Sequence, residues 1–140
     1  MPAGPPRDAE QNIIPHNHSD ILDESYVIRH TVPNDLVPNE TGGKRVSSGA
    51  YSRSDDGGMS VDIEDWMIRD GLNPLHYVKD PAHGATRLRV GDLRQMGLMV
   101  GWDPKAENPH HGSVWGIGHS KARKRIARIA ITVRKVLGED

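Results

Sequence analysis

The side chains best suited to acid–base chemistry lie in two places, a predicted strand near residue 29 and a polar loop near residue 110. Arg29 and His30 are adjacent in the stretch YVIRHT, and His111 ends the sequence NPHH, which begins at Asn108. A histidine can donate or accept a proton near neutral pH, and an arginine can stabilise the oxygens of a phosphate. If the fold brings them together, the sequence predicts His111, His30 and Arg29 as catalytic residues of a hydrolase or transferase that needs no metal or other cofactor.

A glycine-rich turn follows this loop and opens a helix. Gly116, Gly118 and Ser120 let the backbone turn tightly, and the free N–H groups at the start of a helix attract phosphate. We therefore expect a small phosphorylated ligand, a nucleotide before any other, to bind in one pocket formed by the loop and the turn. Its predicted ligand-binding residues are Asn108, His110, Gly118, His119, Ser120 and Lys121. The alternative is that the glycines serve only a tight connection between strand and helix.

A second pattern, HNHSD at 16–20, has the spacing of metal ligands. In an extended chain His16, His18 and Asp20 lie on one side. The pattern is similar to the HxHxDH motif of metallo-β-lactamase-fold hydrolases, with Ile21 in place of the final histidine, but 140 residues are too few for that fold. The alternative is a solvated tail, and the catalytic site predicted above contains no metal.

The first twenty residues differ in composition from the rest of the chain. Pro2, Pro5, Pro6 and Pro15 stand among small and polar residues, which bury too little apolar area to offset the entropy lost on ordering. Residues 1–20 are therefore predicted to be a flexible N-terminal arm, and residues 21–140 a single domain.

Composition excludes several classes of protein. The 18 basic and 19 acidic side chains give a formal net charge of -1, so no global field marks a partner. The absence of cysteine excludes disulfides, thiolate zinc sites and a cysteine nucleophile. No stretch resembles a signal peptide or a membrane span, and we expect a cytoplasmic protein without a membrane partner.

The apolar pattern predicts a small α+β domain. Strands are predicted at 25–32, 59–63, 86–90, 98–102 and 113–117, with a further short strand at 75–78. The hydroxyl-rich segment 46–54 forms a plausible hairpin with 59–63 through a turn at 55–58, and a helix follows to about residue 70. The predicted architecture is a mixed or antiparallel sheet packed against an amphipathic C-terminal helix.

That C-terminal helix carries the clearest periodic signal. Seven apolar residues from Ala122 to Leu137 share one arc, with basic residues opposite, although the β-branched 131–133 segment could instead be a strand. The basic side chains support the alternative function, a non-catalytic module that binds nucleic acid or an acidic protein. Its predicted patch joins the outer face of the strand at 86–90 to the helix and consists of Arg87, Arg89, Lys124, Arg125 and Arg128.

Short sequence blocks resemble those of a group of small uncharacterised bacterial proteins. The blocks are SSGAYS followed by MSVD, then RLRVGDLRQMGLMVGWDP, then ENPHHGSVWGIG. The likeness covers the residues after Tyr26, with a second histidine, His111, where a small residue is expected after the histidine of the last block. It implies a single domain and no particular activity.

Overall fold

The computed structural model describes residues 3–54, 57–74, 78 and 80–140. Its strands are β1 (Tyr26–Thr31), β2 (Leu36–Pro38), β3 (Lys44–Val46), β4 (Gly58–Ile63), β5 (Gly84–Arg89), β6 (Met99–Trp102), β7 (His111–Trp115) and β8 (Ile131–Arg134). Six of these form one sheet in the order β6-β7-β4-β1-β5-β8, and β2 pairs with β3 in a separate ribbon. Every pairing is antiparallel. The predicted α+β class is therefore confirmed, with the sheet in its antiparallel form.

Alternation along the strands explains why one face of the sheet forms the core. In β4, Met59, Val61 and Ile63 are buried in the main apolar cluster, and Leu88 of β5 joins the same cluster. Ser60, between two of these residues, is exposed. A register shift of one residue would exchange the two sets, so burial of the apolar set fixes the register.

In the described part of the chain three α-helices pack around this sheet: α1 (Glu64–Arg69), α2 (Val90–Gln95) and α3 (Ser120–Ile129). Ile126 of α3 is completely buried in the cluster that contains Leu88, so α3 covers the core face. Its predicted apolar stripe is too long, because the chain leaves the helix at Ala130 and pairs with β5 as β8. No helix within the described ranges has the length and apolarity needed to cross a bilayer.

The segment 46–54 differs from the predicted hairpin strand. After β3 the chain forms a short 3-10 helix, Ser48–Tyr51, whose Ala50 and Tyr51 are buried against the core. The Tyr51 hydroxyl donates to Thr86 Oγ1 at 3.2 Å. The turn predicted at 55–58 and the short strand predicted at 75–78 include residues 55, 56 and 75–77, which lie outside the described residues.

Residues 16–18 lie along the outer edge of β6. His18 N–H donates to the carbonyl of Val100 at 3.0 Å, and Asn17 Oδ1 accepts from Val100 N–H at 2.9 Å. His16 Nε2 accepts from the N–H of Trp102 at 3.1 Å. These bonds satisfy edge groups that would otherwise be open to another strand. The flexibility of residues 1–20 stays a prediction. It can be tested by a substitution that weakens the attachment of residues 16–18 to β6.

Candidate functional site

The candidate site is a cleft where β1 and β4 separate. The two strands pair at two positions, of which the last is Ile28 with Asp62; beyond it β1 continues along β5 and β4 along β7. Arg29 occupies part of the resulting gap. Its Nη1 donates to the carbonyl of Ser60 at 2.9 Å, and its Nε donates to the carbonyl of Ala50 at 2.9 Å. The guanidinium thus bonds to a carbonyl in the stretch of β4 that no longer pairs with β1.

The cleft has a volume of about 530 Å³ and brings together four residues predicted from the sequence. Arg29 and His30 come from β1, His111 from the start of β7, and Asn108 from the loop before it. They meet because β7 pairs with β4, which lies beside β1. The other lining residues are Val32, Ser60, Val61, Asp62, His83, Lys105 and Glu107.

Asp62 joins the two histidine-bearing strands. His30 Nε2–H donates to its Oδ2 at 2.9 Å, and Asn108 Nδ2 donates to its Oδ1 at 2.6 Å. His111 is its register partner on β7. Burial by itself raises the pKa of Asp62, but the hydrogen bonds from His30 and Asn108 and the charges of His30 and His111 together leave it lower than usual. Asp62 is therefore an ionised anchor for the His30 imidazole and the register partner of His111.

Replacing Asp62 with asparagine is expected to make the fold less sensitive to acid. Because the pKa of Asp62 is depressed in the folded state, its carboxylate stabilises the fold above the unfolded pKa, and this contribution is lost as the pH falls below about 4. The free energy of unfolding, measured by urea denaturation across this range, should fall less steeply in Asp62→Asn than in the wild type. The exposed Glu40→Gln control should follow the wild type. An Asp62→Asn curve parallel to the wild-type curve would contradict the expectation.

His111 is held in one orientation with one ring nitrogen left over. Its Nδ1–H donates to the backbone carbonyl of Asp103 at 2.8 Å, which makes Nε2 the unprotonated nitrogen of the neutral ring. No described residue is bonded to that Nε2. The carboxylate of the same Asp103 accepts from Ser113 Oγ at 2.7 Å and lies 3.6 Å from Lys105 Nζ. A positioned imidazole with a free lone pair in a cleft is suited to act as a general base.

Among the described residues, Arg29 lacks an ion-pair partner and His30 lacks one hydrogen-bond partner. Arg29 forms no ion pair with a described residue, and burial, the strongest influence on its pKa, lowers that pKa despite attraction to Asp35 and Tyr51. His30 Nδ1 is buried without a hydrogen-bond partner within the described part of the chain. A half-buried cation without an ion pair is stabilised by a bound anion with oxygen atoms, and a protonated His30 gains from the same anion an acceptor for its Nδ1–H.

The glycine-rich turn does not join this cleft. His111 begins β7 and Gly116 follows its last residue, so the strand length separates the loop from the turn. Gly118, His119, Ser120 and Lys121 do not line the cleft, and the helix cap is His119, whose Nδ1 accepts from Ala122 N–H at 3.2 Å. The loop and the turn therefore do not form the single pocket that the sequence predicted.

His110 also stands outside the cleft. Its Nε2–H donates to Asp70 Oδ2 at 2.6 Å, and its side chain is 6% exposed. The neighbouring His111 is the one that lines the cleft, because adjacent residues in an extended segment point to opposite sides. The predicted set thus divides into Arg29, His30, Asn108 and His111, which meet, and the remaining five, which do not.

The predicted basic patch is divided between two sides of the sheet. Leu88 packs in the core that α3 covers, so Arg87 and Arg89, which alternate with it, point to the opposite face. Arg87 donates to both carboxylate oxygens of Glu64 at 2.8 and 2.9 Å, and Arg89 pairs with Asp92 at 3.2 Å. Lys124, Arg125 and Arg128 are exposed on α3. These five residues do not make one continuous surface.

The histidines of the HxHxD pattern use their ring nitrogens within the chain. His16 Nδ1–H donates to the carbonyl of Ile14 at 2.8 Å, while its Nε2 accepts from Trp102. His18 Nε2–H donates to the carbonyl of Ala3 at 2.6 Å, while its Nδ1 accepts from Asp20 N–H at 3.1 Å. Across the described residues, no group of three or more histidine, aspartate or glutamate side chains is arranged to hold a metal ion.

Sequence reasoning missed Asp62, Lys105 and His83 as residues of the cleft. Asp62 had a usable signal, because a carboxylate on the polar side of an otherwise apolar strand such as MSVDI needs a partner. Lys105 follows Asp103 and Pro104 in the loop already singled out, but nothing in its sequence position shows that it faces β1. Comparisons of the chain with protein-family models, curated proteins and solved structures return no significant match.

Proposed function

We propose that the cleft between β1 and β4 binds a phosphate-bearing ligand, a nucleotide before any other, and that the protein acts on it as a metal-free hydrolase or transferase. The observation that carries this proposal is that one cleft is lined both by half-buried Arg29, which has no ion pair among the described residues, and by His30, whose Nδ1 has no partner among them. A phosphate supplies the negative charge and the oxygen acceptors that such a pair of groups favours.

The size of the cleft and one further cation also suit this ligand, and the lining includes one further carboxylate, Glu107. A volume of about 530 Å³ falls within the range of small-molecule sites. Lys105, which is 41% exposed, provides a second cation at the wall, and Val32 and Val61 provide apolar surface. A ligand with an anionic end and a flat, less polar end, as in a nucleotide, matches this combination.

The proposed reaction gives His111 and His30 separate roles. His111 Nε2 takes a proton from the attacking water or hydroxyl, whose oxygen forms a bond to phosphorus as the bond to the leaving oxygen breaks. Asp62 holds the His30 ring through Nε2–H, so that a protonated His30 adds positive charge to the cleft, and the leaving oxygen takes its proton from solvent, to which His111 later returns one. Arg29 and Lys105 stabilise the negative charge that develops on the phosphoryl oxygens. The products are one phosphorylated acceptor and one free alcohol or phosphate.

Calorimetric titration tests the binding step. The panel consists of adenosine, guanosine and uridine mono-, di- and triphosphates together with inorganic phosphate. At least one nucleotide should bind, and Lys105→Ala should weaken that binding about tenfold, because one charge-assisted contact is lost. Lys121→Ala is the matched control, since Lys121 is exposed and lies outside the cleft lining.

The control separates the cleft from the glycine-rich turn as the binding site. Loss of affinity in Lys121→Ala with unchanged affinity in Lys105→Ala would assign the phosphate to the turn and contradict the proposal. Absence of binding across the panel would contradict it as well, and would leave the interaction-module alternative.

A further inference from the structure

A second cleft lies on the other side of the loop that carries Lys105. It has a volume of about 430 Å³ and is formed between the N-terminal segment and the loop after β6. Its lining consists of Arg7, Gln11, Asn12, Ile13, Asp103, Pro104, Lys105 and Trp115. Lys105 lines both clefts, so they lie side by side with one cation at their common wall.

The common wall is held rigidly. Lys105 and Asn108 exchange two backbone hydrogen bonds, from N–H to carbonyl, at 3.0 and 3.1 Å, and Asp103 N–H donates to the carbonyl of His111 at 3.0 Å. The same Asp103 carbonyl that orients His111 in the first cleft therefore belongs to a residue that lines the second. A ligand held in one cleft meets a fixed surface leading into the other.

The charges in the second cleft favour another anion. Arg7 forms no ion pair with a described residue, and its Nη1 donates to the backbone carbonyl of Gln11 at 2.8 Å. The one carboxylate in the lining, Asp103, is already engaged by Ser113 and Lys105. Asn12 and Gln11 add amide groups, and Trp115, which is largely buried and packs against the His16 ring at 5.2 Å, adds apolar surface.

We infer that the ligand carries two linked phosphate groups, one in each cleft, with Lys105 between them. The substrate class is then a single-stranded oligonucleotide, of which a 5′-phosphorylated dinucleotide is the smallest member, and not a mononucleotide. This inference rests on the proposed function of the first cleft and adds Arg7 as the residue that selects the longer ligand.

Titration with dinucleotides tests the inference. Ribo and deoxyribo forms of a 5′-phosphorylated dinucleotide, and the matching mononucleotides, are titrated against the wild type, Arg7→Gln and the control Arg45→Gln. Arg45 is exposed on β3 and lines neither cleft. The wild type should bind at least one dinucleotide about 10 to 100 times more tightly than its mononucleotide. Arg7→Gln should remove that advantage and leave mononucleotide affinity unchanged, while Arg45→Gln keeps both.

The other possible results separate the proposed function of the first cleft from the role inferred for the second. If mononucleotides bind and are weakened by Lys105→Ala, but dinucleotides bind no better, the proposed function stands and the second cleft is excluded as a phosphate site. If Arg7→Gln weakens mononucleotide and dinucleotide equally, or neither, its selecting role is wrong. If no nucleotide of either length binds, both conclusions are overturned. Far-ultraviolet circular dichroism and the thermal midpoint of Arg7→Gln show whether the fold is kept.

Discussion

Replacing His111 with alanine should lower the turnover of a bound nucleotide by a factor of about 100 to 10,000 while changing its affinity much less. The reason is the position of His111 Nε2, which is the free nitrogen of a ring fixed through Nδ1 to the carbonyl of Asp103. In the proposed mechanism, removing the ring removes the group that accepts the nucleophile's proton, whereas Arg29 and Lys105 should still bind the phosphate. Single-turnover release of phosphate or nucleoside from each nucleotide that binds measures the two effects separately.

A histidine elsewhere provides the matched control. His119→Asn keeps a side-chain acceptor at the cap of α3 and lies outside the cleft, so its turnover should equal that of the wild type. A His111→Ala protein with wild-type turnover would show that His111 does not handle protons. A wild-type protein that binds nucleotides and never turns them over would contradict the enzymatic part of the proposed function and leave a binding protein.

Several strands of the main sheet could be predicted because their side chains alternate. Stretches such as MSVDI and TRLRV have the period of a half-buried strand, and the structure places both in the main sheet. The C-terminal segment was harder to assign. Val133 lies on the apolar arc of the predicted helix, yet the β-branched segment 131–133 also suits a strand, and pairing with the edge of β5 decides in favour of the strand.

The site could be predicted only in part, because the order of strands in a sheet is not contained in local patterns. Arg29, His30 and His111 were predicted as one site from their chemistry, and they line one cleft because β7 and β1 flank β4. The same topology puts the Gly116 turn beyond the far end of β7. Two segments close in sequence were therefore separated, whereas Asp62, distant in sequence from both histidine-bearing segments, lies between them.

Composition alone also did not predict the contacts of the N-terminal segment. Its prolines and polar residues predict a flexible arm, but backbone and amide hydrogen bonds connect residues 16–18 to β6, and the buried ring of His18 packs against Trp66 and Trp102. Arg94 of α2 also donates hydrogen bonds to this region. Hydrogen bonds of this kind have no periodic signature in the sequence, so they were not anticipated.

Replacing Arg94 with alanine should therefore destabilise the protein by about 3 kcal/mol. Arg94 is 20% exposed, and its guanidinium donates to the carbonyls of His18, Ile21 and Val100, as well as to Asn17 Oδ1 and Asp23 Oδ1, at 2.7 to 3.3 Å. Arg94→Lys should lose a smaller but clear part of this stability, because one ammonium cannot replace a planar fork of donors. Urea denaturation gives the free energies of unfolding. The control Arg89→Lys, at an exposed ion pair, is expected to change little.

Limited proteolysis should cut within residues 3–20 faster in Arg94→Ala than in the wild type. Equal stability and equal proteolysis in the two proteins would mean that these contacts do not anchor the segment and that residues 1–20 form the mobile arm that composition predicts.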